Sequence, residues 1–441
     1  MISRDKPPTA QETFMQMAQA AGLRGRLLVT IGILILIRLG IHIPIPGIDR
    51  QAFAAAINSN NQVFSFLDIF SGGGLSALGV FALGILPYIN ASIIIQLLTA
   101  AIPYLENLQK NEGEAGRRRI SQITRYVSLG WAILQSVFLA AFWLRPFALN
   151  FGPIFVIETA VALVAGSMFV MWASEVITER GVGNGASLLI FVNIVATLPK
   201  SLSDTIAYIQ GSGQEIVRER VGPVIVLVLV FLFTIVGIVF VQEAVRRIPI
   251  ISARRQVGRR IFAEQRSYLP LRLNQGGVMP IIFAAAILSL PLFIANFTKN
   301  PQLANIINTY LSPGGSQSWV YALVYLVSIV FFSYFYSSLI VNPVDVAQNL
   351  KKMGSSIPGI RPGKATSEYI ERILNRLTFL GAIFLGLIAI IPTAVETALG
   401  VPTFRGLGAT SLLILVGVAI DTAKQVQTYV ISQRYEGMVK Q

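Results

Sequence analysis

The amino-acid sequence predicts an all-α integral membrane protein, with ten transmembrane helices in two inverted five-helix halves. Three observations lead there. Of 441 residues, 54% are hydrophobic and only 13% charged, about half the charged share of a soluble domain. Uninterrupted apolar runs recur along the whole length, so the membrane part is the body of the chain and not an anchor on a soluble domain. Lysine and arginine collect in alternate connections between those runs, as they do on the inner side of a membrane.

Apolar runs bounded by charge or by Gly and Pro give the spans Leu27 to Ile43, Ala77 to Ile102, Tyr126 to Trp143, Phe155 to Ala173, Ala186 to Leu198, Val221 to Val241, Val278 to Ile294, Trp319 to Val341, Leu377 to Ala394 and Ala409 to Ile431. Each is read against the ~20 apolar residues needed to cross a bilayer. The fifth is short, and the tenth has a polar second half. With both termini cytoplasmic, roughly 27 of the 35 Lys and Arg fall on inside segments, in keeping with the positive-inside rule. The expected division is an N-terminal segment 1–26, a first half 27–198, a second half 199–431 and a C-terminal tail 432–441. The N-terminus has no short apolar core followed by a small-residue cleavage site, so no removable signal peptide is expected.

The stretch from Phe66 to Ile102 fits neither a soluble helix nor a clean span. Its second part is long enough to cross but carries Gly79, Gly84 and Pro87, and reads as a helix kinked at Pro87. Its first part, Phe66, Leu67, Ile69 and Phe70 followed by Ser71, Gly72, Gly73 and Gly74, is too short to cross and too apolar for water. Such a piece is tolerated at membrane depth only where protein or a water-filled cavity surrounds it. The seventh span is interrupted in the corresponding way by Gly276, Gly277, Pro280 and Pro291. Interrupted spans in matching positions of two halves point to a working site at an inverted-repeat interface.

Other chemistry is scarce. The absence of cysteine excludes disulfides and thiolate metal sites, and the single histidine, His42, has no metal-ligating neighbour in sequence. An intramembrane enzyme would need a nucleophile facing a base, which the chain does not offer. A secondary transporter would need polar groups of substrate size at midplane. Arg38, near the outer end of the first span, is most simply a snorkelling residue. Asn90 and Gln96 are neutral and suited to hydrogen bonds between helices. The interrupted spans offer instead a set of isoleucines: Ile85 and Ile89, Ile282, and, from the fifth and tenth spans, Ile190 and Ile414. Isoleucine in a membrane helix ordinarily faces lipid or packs. Were these five to converge, an apolar constriction would dewet and block ions without any charge.

Two inside connections are longer than the ~4 to 6 residues a connection needs. The one over 244–275 carries Arg246, Arg247, Arg254, Arg255, Arg259, Arg260, Arg266 and Arg272; the one over 342–374 carries Lys351, Lys352, Arg361 and Lys364. One reading is topology control with attraction to anionic lipid. The other is docking of a polyanionic or acidic partner, since guanidinium forks pair phosphate and carboxylate bidentately. Loop length favours docking.

The blocks GILPYINASIIIQLLT (Gly84 to Thr99), IPIPGID (Ile43 to Asp49), EGEAGRRRISQITRY (Glu112 to Tyr126), GVGNGASLLIF (Gly181 to Phe191), ARRQVGRRIFAEQRSYLPLRLNQGGVMPIIFA (Ala253 to Ala284) and GATSLLILVGVAIDTAKQVQ (Gly408 to Gln427) closely resemble the SecY family, the pore subunits of bacterial and plastid Sec protein-translocation channels. The resemblance covers essentially the whole chain. It implies a ten-span clamshell around an hourglass channel, without a cofactor or catalytic group, that passes unfolded secretory polypeptides and releases membrane helices sideways into lipid. By motif match it makes Ile85, Ile89, Ile190, Ile282 and Ile414 the pore ring, and Phe66 to Gly74 the plug. It sets Pro87, Asn90, Gln96, Pro280 and Leu290 at a lateral gate for signal sequences and nascent polypeptides. It assigns Arg254, Arg255, Arg259, Arg260, Arg361 and Lys364 to docking of the ribosome, through its RNA and proteins, or of the SecA motor ATPase. The small subunits SecE and SecG are further implied partners. The host would be the cell inner membrane, and a thylakoid membrane would use the same residues.

Overall fold

The computed structural model describes residues 21–50, 52–53, 71–110, 112–210, 213–252, 255–257, 260–262, 266–297, 301–311, 317–399 and 409–439. A helix lies under every one of the ten expected spans. In chain order the helices are α1 (Ala21–Gly40), α2 (Leu86–Ala101), α3 (Pro103–Lys110), α4 (Gly113–Phe138), α5 (Pro153–Arg180), α6 (Gly185–Gln210), α7 (Gly213–Glu243), α8 (Met279–Phe297), α9 (Pro301–Tyr310), α10 (Ser318–Ile340), α11 (Pro343–Lys352), α12 (Lys364–Leu399) and α13 (Ala409–Val439). Among the described residues, six helices are long and apolar enough to cross a membrane, and a seventh if α2 and α3, bent by 104°, count as one. The chain is a multi-pass helical membrane protein.

Two compact units divide it. The first holds Met1–Ala207, Arg405–Leu407 and Val418–Gln441; the second holds Tyr208–Phe404 and Gly408–Gly417.

In the first unit α4 packs on α2 and on α5, and α1 packs on α5. Helices in lipid gain little from apolar contact and associate where small residues let backbones approach. The buried face of α4 is such a seam, with Gly116 and, at four-residue steps, Thr124, Ser128, Ala132 and Ser136. Arg125 Nε donates to Glu175 Oε1 at 2.8 Å and ties α4 to α5. The IPIPGID loop docks through its two inward isoleucines, Ile45 and Ile48, which share a core with Phe53, Leu75, Leu78, Leu144, Phe155 and Leu163. The polar second half of α13 stays helical because Val426 and Val430, four apart, pack with Leu23 of α1 and Val182.

Two expectations are revised. The fifth span is not short: α6 continues through Pro199 to Gln210, its polar extension carrying Ser201 and Thr205 hydroxyls that donate to the carbonyls of Thr197 and Ser201. The second span is not a long helix kinked at Pro87. The helix starts at Leu86, with Pro87 in its first turn, where the missing N–H would have had no partner in any case.

In the second unit α10 packs on α8 and α12, and α7 packs on α12. Buried Thr378 Oγ1 donates to Ser337 Oγ at 3.0 Å between α12 and α10, and Phe283 of α8 meets Phe332 and Tyr336 of α10 edge to face. The arginine-rich connection, read from sequence as a loop, contains an antiparallel ribbon of β1 (Val245–Ser252) and β4 (Arg266–Arg272). A shorter pair, β2 (Arg255–Val257) and β3 (Arg260–Phe262), lies between them in sequence. The third strand, β5 (Ser355–Ser356), comes from the other basic connection and meets β1 only at Ile251 and Ser252. Pro249 and Pro270 are therefore tolerated, because each sits where no strand pairs on its second side.

One apolar core closes this module: Ile248, Ile250 and Leu271 from the ribbon, Leu350 of α11, Ile357, and Ile370, Ile373 and Leu374 of α12. The two basic connections thus form one folded body. Truncating the fully buried Ile370 to alanine should lower the stability of this body by ~2 to 4 kcal/mol. Limited proteolysis in membranes should then cut within 244–275 faster than in the wild type, with the amount of membrane-inserted protein unchanged.

Candidate functional site

Between α1 and α2 the described chain from Ser71 to Ile85 is irregular, yet mostly buried. Backbone of this kind needs a partner for each buried polar group, and neighbouring elements provide them. Arg38 Nη1 donates to the Gly72 carbonyl at 2.7 Å, and the Ser167 hydroxyl of α5 donates to the Gly84 carbonyl at 3.1 Å. Ile45 N–H donates to the Leu78 carbonyl and Val80 N–H to the Ile43 carbonyl, at 3.2 and 2.9 Å. Ser71 Oγ accepts the Leu75 N–H at 3.0 Å.

Glycine is required at two points. Gly72 has φ +67°, and a Cβ there would strike Asn193 Oδ1 and the Arg38 guanidinium. Gly79 lies so close to the Ile41 carbonyl that a Cβ would overlap it. Leu78 holds φ +47° without being glycine and is almost fully buried. Arg38 is therefore not a snorkelling residue: its guanidinium turns onto protein backbone. Arg38, Ser167 and Asn193 were not singled out as site residues from sequence, where the sole signal was a charge inside an apolar run.

Of the expected plug, Gly72, Gly73 and Gly74 belong to this held segment, while Phe66, Leu67, Ile69 and Phe70 lie outside the described residues. None of the five isoleucines is fully exposed. Ile85, Ile190 and Ile414 are buried at 0%, 4% and 2% exposure, and Ile89 and Ile282 are half-buried. By contrast Phe233, Phe240 and Phe331 stand well exposed on their helices. Ile85, Ile89 and Ile190 belong to the first unit and Ile282 and Ile414 to the second. Ile85 is the last residue before α2, and its carbonyl accepts the Ile89 N–H at 3.1 Å.

Of the expected gate residues, Pro87 and Pro280 are buried in the first turns of α2 and α8, and Asn90 is half-buried. Gln96 Nε2 donates to Ser92 Oγ within α2 at 3.1 Å. The Leu290 side chain lies outside the described set. Ahead of α8, Asn274 Nδ2 donates to the Gly277 carbonyl at 2.7 Å and closes the turn where Gly277 has φ +59°.

The basic residues sit on the folded module. Arg246, Arg247, Arg272, Lys351 and Lys352 are exposed. Arg361 projects from a turn bracketed by Gly359 and Gly363 at φ +77° and +113°, with Ile360 packed on the module core and the Arg361 carbonyl accepting the Thr366 hydroxyl at 2.9 Å. Lys364 opens α12, whose first turn has no acidic residue; it pairs with Glu368 at 4.0 Å in a well-exposed contact. A lysine at a helix N-terminus opposes the helix dipole, so this end, with Arg361 beside it in sequence, is suited to an anion. Arg255 and Arg260 lie on β2 and β3, and Arg254 and Arg259 lie outside the described residues.

Comparison with known proteins identifies the family. The family model for SecY matches residues 79–423. Over the full length of both chains, the sequence is 71% identical to the protein translocase subunit SecY of Synechococcus elongatus. It is 54% identical to that of Porphyra purpurea, over 96% of this chain and all of the relative, and 44% identical to that of Aquifex aeolicus, over 95% and 97%. Among solved structures, a protein-conducting channel superposes with a TM-score of 0.64 at 19% identity, covering 96% of this chain and 94% of that one. Sec61 in a canine ribosome-channel complex gives 0.60 at 18% identity with the same coverage. With a family model matched across most of its length and relatives this similar end to end, the chain belongs to the SecY family.

Proposed function

We propose that this translocase subunit is the central pore of a protein-conducting channel, which passes unfolded secretory polypeptides across the membrane and releases membrane helices laterally into lipid. The observation that carries the reading is the protein-held, irregular Ser71–Ile85 segment leading directly into buried Ile85, with none of the five motif-matched isoleucines left exposed. In this reading Ile85, Ile89, Ile190, Ile282 and Ile414 form a collar. Their β-branched side chains are stiff at χ1, and an apolar neck excludes ions by dewetting while closing around a passing chain. The segment Phe66 to Gly74 is the plug of the resting state. The starts of α2 and α8, with Pro87, Asn90, Gln96, Pro280 and Leu290 on those helices, form the lateral gate. A signal sequence opens it by replacing helix packing there.

The basic module is the docking surface on the cytoplasmic side, with both termini on that side. Arg254, Arg255, Arg259, Arg260, Arg361 and Lys364 take the phosphates of ribosomal RNA or the acidic groups of the SecA motor. A partner that binds the open channel more tightly than the closed one shifts the population toward opening. Nucleotide energy enters through that partner, and SecE and SecG complete the complex. The cell inner membrane and the thylakoid membrane are both consistent hosts.

The reading is tested by reconstituting the chain with its small subunits and a motor ATPase in liposomes, where transport must depend on a signal sequence. Ile282→Asn and Ile414→Asn should hydrate the collar and raise export of a substrate with a defective signal sequence several-fold; unchanged or lower export would remove these residues from the ring. Arg361→Glu should weaken partner docking roughly 30-fold or more and abolish driven translocation while the variant still inserts in the membrane. Transport at the wild-type rate would leave the loop a topological signal only. Deleting Phe66 to Gly74 should increase ion leak through the resting channel, read as single-channel conductance in planar bilayers.

A further inference from the structure

Arg38 is a cation within the body of a membrane protein, committed to one backbone carbonyl. Its Nη1 lies 2.7 Å from the Gly72 oxygen, and Gly72 is enclosed on the same side by the Asn193 amide, so that even a methyl group has no room. Asn193 is buried on α6, three residues after Ile190 and so on the same face of that helix. Around the contact the chain also makes short-range bonds: Ser71 Oγ accepts the Leu75 N–H, and Ser76 Oγ donates to the Gly73 carbonyl at 3.0 Å. The Arg38 contact reaches this segment from another element, 34 residues away in sequence, and carries charge.

We propose that Arg38 and Asn193 are positioning residues forming a latch, which clamps the Gly72 peptide and thereby sets the free energy needed to unseat the Ser71–Gly74 stretch. The inference rests on the channel reading above. α1 supplies the charged hydrogen bond and α6 the steric wall. Since the wall stands one helical turn from Ile190, movement of α6 that widens the ring also loosens the seat of Gly72. A hydrogen bond from a charged donor is about twice as strong as a neutral one, and its loss leaves a buried carbonyl without that donor.

The test uses the full chain with its small subunits in planar bilayers and liposomes, comparing Arg38→Ala, Arg38→Lys and Gly72→Ala. Arg38→Ala should raise the resting open fraction about tenfold and increase export of a substrate with a defective signal sequence. Gly72→Ala keeps the arginine but drives a Cβ into Asn193 at a positive φ, and should reproduce that phenotype. The double variant should be no leakier than either single one, because both break the same contact. Arg38→Lys should recover part of the closed population by restoring a donor. Should Arg38→Ala fail to accumulate in membranes, Gly72→Ala and Arg38→Lys carry the test alone. Resting conductance equal to wild type in membrane-inserted variants, or leak that adds in the double variant, overturns the latch. Failure of the wild-type chain to transport a signal-bearing substrate would instead overturn the channel reading itself.

Discussion

A peptide group withdrawn from water must find a partner in the protein, and in a membrane body only regular helices supply it internally. The stretch from Ser71 to Ile85 breaks that regularity, and much of the first unit is arranged to satisfy it. α1 contributes Arg38 and the loop after it contributes the backbone of Ile43 and Ile45. α5 contributes the Ser167 hydroxyl, and its Gly166 has no side chain because the Val80 carbonyl occupies the space. Ile45 and Ile48 of the IPIPGID loop close the apolar side with Leu75 and Leu78.

The second unit solves a different problem, that of holding a charged surface rigidly beside a membrane helix. Arginines on a free loop would lose side-chain and backbone entropy on meeting a partner. Here the two basic connections share three strands and one apolar core, so much of that ordering is already complete. The base of the ribbon is clamped against α12 at Gly381, where the Leu273 carbonyl comes too near for a side chain. α12 begins beside Arg361 and runs for 36 residues, ~54 Å at 1.5 Å per residue. The same helix packs on α7 and α10.

Composition and periodicity carried far in this chain because a membrane imposes long apolar runs and sorts basic residues by side. Helices under all ten expected spans and the long basic connections could be read directly, and the motif blocks identified the SecY family. Less local features were not legible. Just before the start of α2 at Leu86, the Gly84 carbonyl accepts the Ser167 hydroxyl from 83 residues away. The ribbon of β1 and β4 was hidden by its arginines and prolines, and is held by isoleucines and leucines from four separate elements. Arg38, read as snorkelling toward water, finds its partner 34 residues further on.

The sequence by itself determined the class, the spans, the basic surfaces and the family, since each depends on residues a few positions apart meeting one uniform solvent. Only the tertiary structure decided which backbone breaks are tolerated, which charge turns inward and which loops join into one body. Those outcomes depend on a donor meeting an acceptor, or a glycine meeting a carbonyl, across separations for which the linear order of residues carries no distance.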